Sequence, residues 1–197
     1  MNARTVLIGL VGDFQPSSVS HLATQDGLIH ASDRLGIPVA FRWVPTPSLE
    51  AEAAATLSGF DGLLIAPGSP YVSMEGALNA ITYARTRRVP LLGTCGGFQH
   101  VVIEYARRVL GFQDAQHAEY DPYGSRLFIS ALPCSLVGRR LEIEVAADSR
   151  AAQAYGTLVA SEQYRCNFGL NPDYLSTLVA GEVKEMASPI KDEASGP

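Results

Sequence analysis

Cys95 stands in Gly93-Thr94-Cys95-Gly96-Gly97, between the apolar run Val89-Pro90-Leu91-Leu92 and an apolar-periodic stretch from Phe98 to Leu110. The pattern is that of a buried strand turning sharply into a helix. Glycines two positions before and two after a nucleophile allow a tight, strained turn that lifts the side chain above a sheet. A thiol at the start of a helix also meets unpaired N–H groups and the positive end of the dipole, which favour thiolate. The chemistry open to such a residue is attack on a carbonyl carbon. A buried cysteine beside a glycine-rich turn fits the same five residues.

The preceding chain supplies the elements that would hold this turn. Val6 to Val11 is a continuous apolar run ending in Gly12-Asp13, as expected of a strand buried on both faces. Ser17 and Ser18 can cap a helix running towards Leu35 and stopping at Gly36. Val39 to Val44 reads as a second strand, and Ser48 is expected to cap an alanine-rich helix ending at Gly59. Asp61 to Ala66 is a third strand leading into Pro67-Gly68-Ser69-Pro70, and a helix over about Glu75 to Arg87 returns to the strand before Cys95. Strands and helices alternate with short connections, which predicts an α/β fold with an open, doubly wound, mostly parallel sheet. In such sheets ligands bind beyond the carboxyl ends of the strands. The Pro67-Gly68 loop and the Cys95 turn both fall at that edge.

After Leu110 the rhythm changes. Asp114 to Gly124 is a polar stretch with a turn at Asp121-Pro122, and Arg126 to Leu132 and Leu141 to Ala146 have strand character. Leu141, Ile143 and Val145 alternate with Glu142 and Glu144, which predicts half-exposed, antiparallel additions in the C-terminal part. Thr157 to Phe168 reads as a further strand, and Asn171 to Ala180 as a short helix with Pro172 in its first turn. One domain over 1–180 is expected, followed by a polar, disordered tail over 181–197.

Composition narrows the function. At 197 residues, 47% hydrophobic, the chain can build one substantial core. A net charge of -5 argues against a nucleic-acid backbone as partner. Arg85, Arg87 and Arg88 are the densest basic group and read as the solvated end of a helix. Cys95, Cys134 and Cys166 form no closely spaced pair, so neither a zinc site nor a redox disulfide is expected, and a reducing cytoplasm suits them. No stretch reaches the roughly 18 apolar residues of a membrane span, and the N-terminus has no signal-peptide pattern. No metal and no cofactor are expected.

The segments Leu63 to Gly68, Gly76 to Arg85, Val89 to Gln99, Val102 to Gly111 and Glu119-Tyr120-Asp121-Pro122 resemble the glutaminase domain of CTP synthase, a class I glutamine amidotransferase. The likeness extends over roughly residues 4 to 180 and is densest from Leu63 to Pro122. It implies a flavodoxin-like fold, and it implies that Cys95 forms a thioester with the side-chain amide of glutamine or a related small molecule, releasing ammonia to a separate synthetase subunit. By the same resemblance, backbone N–H groups of Gly68 or Ser69 and of Gly96 would form the oxyanion hole, and Gln99, Glu119 and Arg165 would hold the amino-acid end of the substrate. Glu119 suits an ammonium chemically. A homodimer is compatible with this reading.

The resemblance has a break. The family pairs its cysteine with a His-x-Glu late in the domain, whereas the four histidines here are His21, His30, His100 and His117, all earlier in the chain. The general base is therefore expected to be absent from its family place, with His117, two residues before Glu119 on a loop bordering the pocket, as substitute. His100, five residues past Cys95, should lie along the helix flank, and His21 and His30 on the first helix should be surface or packing residues, with His21 close enough to the sheet's carboxyl edge to be a remote alternative base. Ser69-Pro70 also departs from the family pattern and removes one N–H from the loop. Two other readings follow: the scaffold diverted to another small-molecule reaction with His117 and Glu119 as acid and base, or a non-catalytic binding relative.

Overall fold

A computed structural model describes residues 4–180, together with the backbone of Ala187–Pro189. Strand β1 (Val6–Val11) leads into helix α1 (Val19–Leu35), which starts where Ser18 Oγ accepts the His21 N–H and ends at Gly36 in the left-handed region, φ 63°. Strand β2 (Val39–Val44) follows, and then the first departure from the sequence reading. In place of one helix capped by Ser48, a 3-10 turn over Thr46–Leu49 precedes the short helix α2 (Ala53–Leu57). Pro47 sits in the first turn of the 3-10 segment, and Ser48 Oγ donates to Pro45 O, so it is not available as a cap.

Strand β3 (Gly62–Ile65) is buried along its whole length, as its unbroken apolar sequence requires. Helix α3 (Met74–Arg87) is capped by Ser73, and strand β4 (Leu91–Gly93) runs directly to Cys95 and helix α4 (Gly96–Arg108). The four strands form one parallel sheet in the order β2-β1-β3-β4. The fold is the open, mostly parallel α/β sheet of the flavodoxin type, with antiparallel strands added in the C-terminal part. Leu10, Val11, Leu63, Ile65, Leu78, Val102 and Ile103 are buried. Arg85 is not simply a solvated helix end: it pairs at 2.7 Å with Glu104, whose carboxylate is buried between α3 and α4 and also accepts from Thr82.

Strand β5 (Ala115–His117), in a stretch that reads as polar loop, pairs in parallel with β6 (Arg126–Ala131) through a shift in register after Gln116. Three residues are too few to show the alternation by which strands are recognised. Two compact units divide the chain at Ser130 and Ala131. The second contains β7 (Arg140–Val145), helix α5 (Arg150–Tyr155), β8 (Val159–Gln163) and β9 (Phe168–Leu170). The expected Thr157–Phe168 strand is thus two shorter ones, and the last helical segment is a 3-10 turn, Pro172–Tyr174, continued as α6 (Leu175–Ala180). The expected polar tail lies outside the described residues except for β10 (Ala187–Pro189), whose backbone runs antiparallel to β7. Among the described residues no helix is long and apolar enough to cross a membrane.

Candidate active site

Cys95 adopts φ 50°, ψ -119°, a conformation that non-glycine residues avoid and that persists only where the surroundings impose it. The surroundings are two close backbone approaches. A Cβ on Gly97 would stand 2.1 Å from Ile65 O, and one on Gly93 would stand 2.9 Å from the Gly97 carbonyl carbon, so larger residues at either place would push the turn off the end of β3. Gly97 N–H donates to Thr94 O at 2.8 Å, closing the turn. The result is an exposed thiol at the N-terminus of α4.

Facing this elbow is the loop after β3. A Cβ on Gly96 would lie 3.1 Å from Ser69 Oγ and 3.3 Å from Ser69 N, which brings the first N–H groups of α4 beside the loop backbone. Among the described residues nothing accepts a hydrogen bond from the backbone N–H of Gly68 or Ser69. The Gly96 N–H, first in its helix, has no intrahelical acceptor either. Several bonds hold the loop in place. His21 bonds Pro67 O at 2.9 Å, Tyr71 OH donates to Ala66 O, and Tyr71 N–H donates to Tyr120 OH at 2.7 Å. Asp13, at the end of β1, accepts from Val72 N–H at 2.8 Å and from both the N–H and the hydroxyl of Thr46. Burial, with Tyr120 and Cys95 nearby, pushes the Tyr71 phenol far above its ordinary value, so it remains a donor.

Beneath the elbow lies a buried histidine pair. His117 is wholly buried on β5 rather than on a loop at the pocket margin, because the β5–β6 pairing draws it inward. Its Nδ1 accepts the Glu119 N–H at 3.1 Å, so the ring proton sits on Nε2, which donates to Gln99 Oε1 at 2.9 Å. His100 is also wholly buried, and it lies along the flank of α4, bonded to the carbonyl four residues before it. Its Nδ1 donates to Gly96 O at 2.7 Å, and its Nε2 accepts from Tyr120 OH at 3.0 Å. Burial, and in second place His100, lowers the His117 pKa to about 3. Burial also lowers that of His100 to about 4, against a raising effect of the Gly96 carbonyl. Burial raises the Tyr120 pKa to about 12. Both histidines are neutral at physiological pH.

Glu119 Oε2 is buried and has no hydrogen-bond partner among the described residues. A buried, unpartnered carboxylate oxygen is costly, and a cationic or donor group would satisfy it. Cys95, Gly68, Ser69, Gly96, Gln99, His117 and Glu119 are thus brought together on the elbow with its outgoing helix, the facing loop, and β5 with the residues just after it. Arg165 lies in the second unit, exposed, between β8 and β9. His30 is exposed on α1. Asp13, His21, Tyr71 and Tyr120 gain roles that the sequence reading did not give them. The one available signal was position: Asp13 directly follows β1, and His21 is in the first turn of α1, both at the sheet's carboxyl edge. Among the described residues no three His, Cys, Asp or Glu side chains are grouped to hold a metal ion.

A parallel sheet carrying a strained cysteine at a sharp strand-to-helix turn, with a loop opposite, defines an α/β protein of the flavodoxin type with a cysteine elbow at the sheet edge. The chain belongs to the class I glutamine amidotransferases: the family model for glutamine amidotransferase class I matches residues 21–163. It is 31% identical over 180 residues to the CTP synthase of Thermococcus kodakarensis, covering 87% of this chain and 34% of that protein. It is 33% identical over 198 residues to the CTP synthase of Acidobacterium capsulatum, covering 91% and 34% respectively. The chain therefore spans about a third of the length of the curated relatives it matches. In structure it is similar to the glutaminase domain of Trypanosoma brucei CTP synthase with bound acivicin, with a TM-score of 0.83, 23% identity, and coverage of 92% of this chain and 74% of that one.

Proposed function

We propose that this chain hydrolyses the side-chain amide of glutamine, or of a closely related amide, through a thioester on Cys95. The observation that carries the reading is the elbow itself: a strained, exposed cysteine at a helix N-terminus, with the backbone of Ser69 against Gly96. The thiolate attacks the amide carbon, and the electron pair of the C=O moves to oxygen. The N–H groups of Gly68 or Ser69 and of Gly96 receive that oxyanion, a contribution worth about 10²–10³-fold per donor. Collapse of the intermediate breaks the C–N bond, the nitrogen takes a proton from water and leaves as ammonia, and water then hydrolyses the thioester to release glutamate and regenerate the thiol. Glu119 pairs with the substrate ammonium, Gln99, held through its oxygen by His117, is assigned to the same end of the substrate, and Arg165 is assigned to the substrate carboxylate.

His117 serves this reaction as a positioning residue. Its Nδ1 is occupied by the Glu119 N–H and its Nε2 proton by Gln99, and the nitrogens of His21 and His100 are similarly engaged. Activation of the thiol is therefore assigned to the α4 N-terminus. Turnover without an imidazole base is expected to be slower than that of a complete triad by about 10²–10⁴-fold. Ammonia is proposed to pass to a separate synthetase in a reducing, cytoplasmic setting, in keeping with three cysteines too widely spaced in sequence to form a close pair. The test is glutamate and ammonia release from glutamine by the wild type and by Cys95→Ala, with and without candidate synthetases. Release that depends on Cys95 supports the reading, and absence of release under every condition, or release that survives Cys95→Ala, refutes it.

A further inference from the structure

We propose that His21 is a positioning residue that fixes the direction of the Gly68 N–H, and with it one donor of the oxyanion site. The inference rests on the glutaminase reading above. His21 lies in the first turn of α1 and is 5% exposed. The Gln15 N–H donates to its Nδ1 at 3.1 Å, which places the ring proton on Nε2. That proton is donated to Pro67 O at 2.9 Å. The ring is held by Trp43 and Phe14, with centroids 4.8 Å and 6.0 Å away.

The consequence follows from peptide planarity. In a trans peptide the N–H points opposite to the C=O, so turning Pro67 O towards His21 turns the Gly68 N–H to the other side of the loop. That N–H has no acceptor among the described residues, and the next residue, Ser69, lies against Gly96 of the elbow. Gly68 has φ +92°, and a Cβ there would stand 3.2 Å from His21 Nε2, so the ring packs directly against the loop backbone. Glycine accepts positive and negative φ about equally. Without the His21 bond, a peptide ending in glycine has two accessible orientations, and only one offers the donor.

The test uses the full chain with His21→Phe, which keeps a ring but not the hydrogen bond, and His21→Gln, whose amide nitrogen can occupy the Nε2 position. His21→Asn, shorter and unable to reach Pro67, serves as a second loss variant should His21→Phe not fold. The expected result for loss of the bond is a fall in kcat of up to about 10²-fold, close to the value of one oxyanion donor. KM and the rate of Cys95 alkylation by iodoacetamide, a reaction that forms no oxyanion, should stay unchanged, and His21→Gln should recover most of the loss. Independently of activity, the three-bond HN–Hα couplings of Gly68, which report φ, should move from one conformer's values to averaged ones in His21→Phe and return in His21→Gln. Unchanged Gly68 couplings, or wild-type kcat in His21→Phe, overturn the inference. A wild type that does not hydrolyse glutamine refutes the glutaminase reading instead, and the couplings still decide whether His21 fixes the loop.

Discussion

His117 Nε2 and Gln99 Oε1 lie 2.9 Å apart in a wholly buried contact, while the other ring nitrogen of His117 takes the N–H of Glu119. One neutral imidazole thereby orients two residues assigned to the substrate. Two neutral hydrogen bonds of about 0.5–1.5 kcal/mol each set the scale, so His117→Ala is expected to raise KM for glutamine by roughly 10-fold. Alkylation of Cys95 by iodoacetamide should proceed at the wild-type rate, which steady-state kinetics and a thiol-labelling time course will check.

Glu119 offers a sharper discrimination. A hydrogen bond to a charged group contributes about 1.5–3 kcal/mol, so Glu119→Gln should weaken glutamine binding by about 10–10²-fold. The diagnostic substrate is the analogue of glutamine without its α-amino group. The wild type should reject it, and Glu119→Gln should use glutamine and the analogue almost equally. Equal discrimination by both proteins would remove Glu119 from the ammonium site.

The two buried histidines predict a particular acid sensitivity. Their folded pKa values, about 3 for His117 and about 4 for His100, lie below the ordinary value, lowered first by burial. The unfolded chain, with imidazoles near about 6.5, binds protons that the folded chain refuses. Stability contributed by their neutral burial is therefore present above about pH 6.5 and declines as pH falls towards about 4, by up to ~1.4 kcal/mol per pH unit for each histidine. Urea unfolding across this range will show the slope. His117→Gln should make it shallower by up to one histidine's share.

Gly97→Ala tests the elbow's packing without touching the thiol. Its Cβ would stand 2.1 Å from Ile65 O, a contact with backbone that no rotamer relieves. Overpacking of this kind costs about 1–3 kcal/mol. Thermal unfolding should show that loss, and Cys95-dependent turnover should fall with it as α4 moves off the end of β3.

The sheet was largely legible because buried parallel strands write themselves as unbroken apolar runs: Val6–Val11 and Gly62–Ile65 appear in the structure at almost their sequence bounds. Ser18 and Gly36 likewise mark the ends of α1. Ser48 misled, because a serine directly after Pro45-Thr46-Pro47 can bond the Pro45 carbonyl as readily as cap a helix. His117 misled for a different reason. Its surroundings in sequence are polar, and its burial comes from pairing with a strand about ten residues further on, which no local pattern records. Cys95 could be singled out from its neighbours in sequence, and Gln99 and Glu119 by the resemblance to the glutaminase family, whereas Asp13, His21 and Tyr120 have roles that arise only when the loops at the sheet edge converge.

The central claim is that Cys95 carries the acyl group. Rapid acid quenching of the full chain during turnover of glutamine, followed by mass analysis, addresses it directly. The account predicts one glutamyl group on the peptide containing Cys95, formed and discharged at rates matching ammonia release, and absent with Cys95→Ala. Ammonia released from glutamine with no adduct on Cys95, and at the same rate by Cys95→Ala, would contradict it.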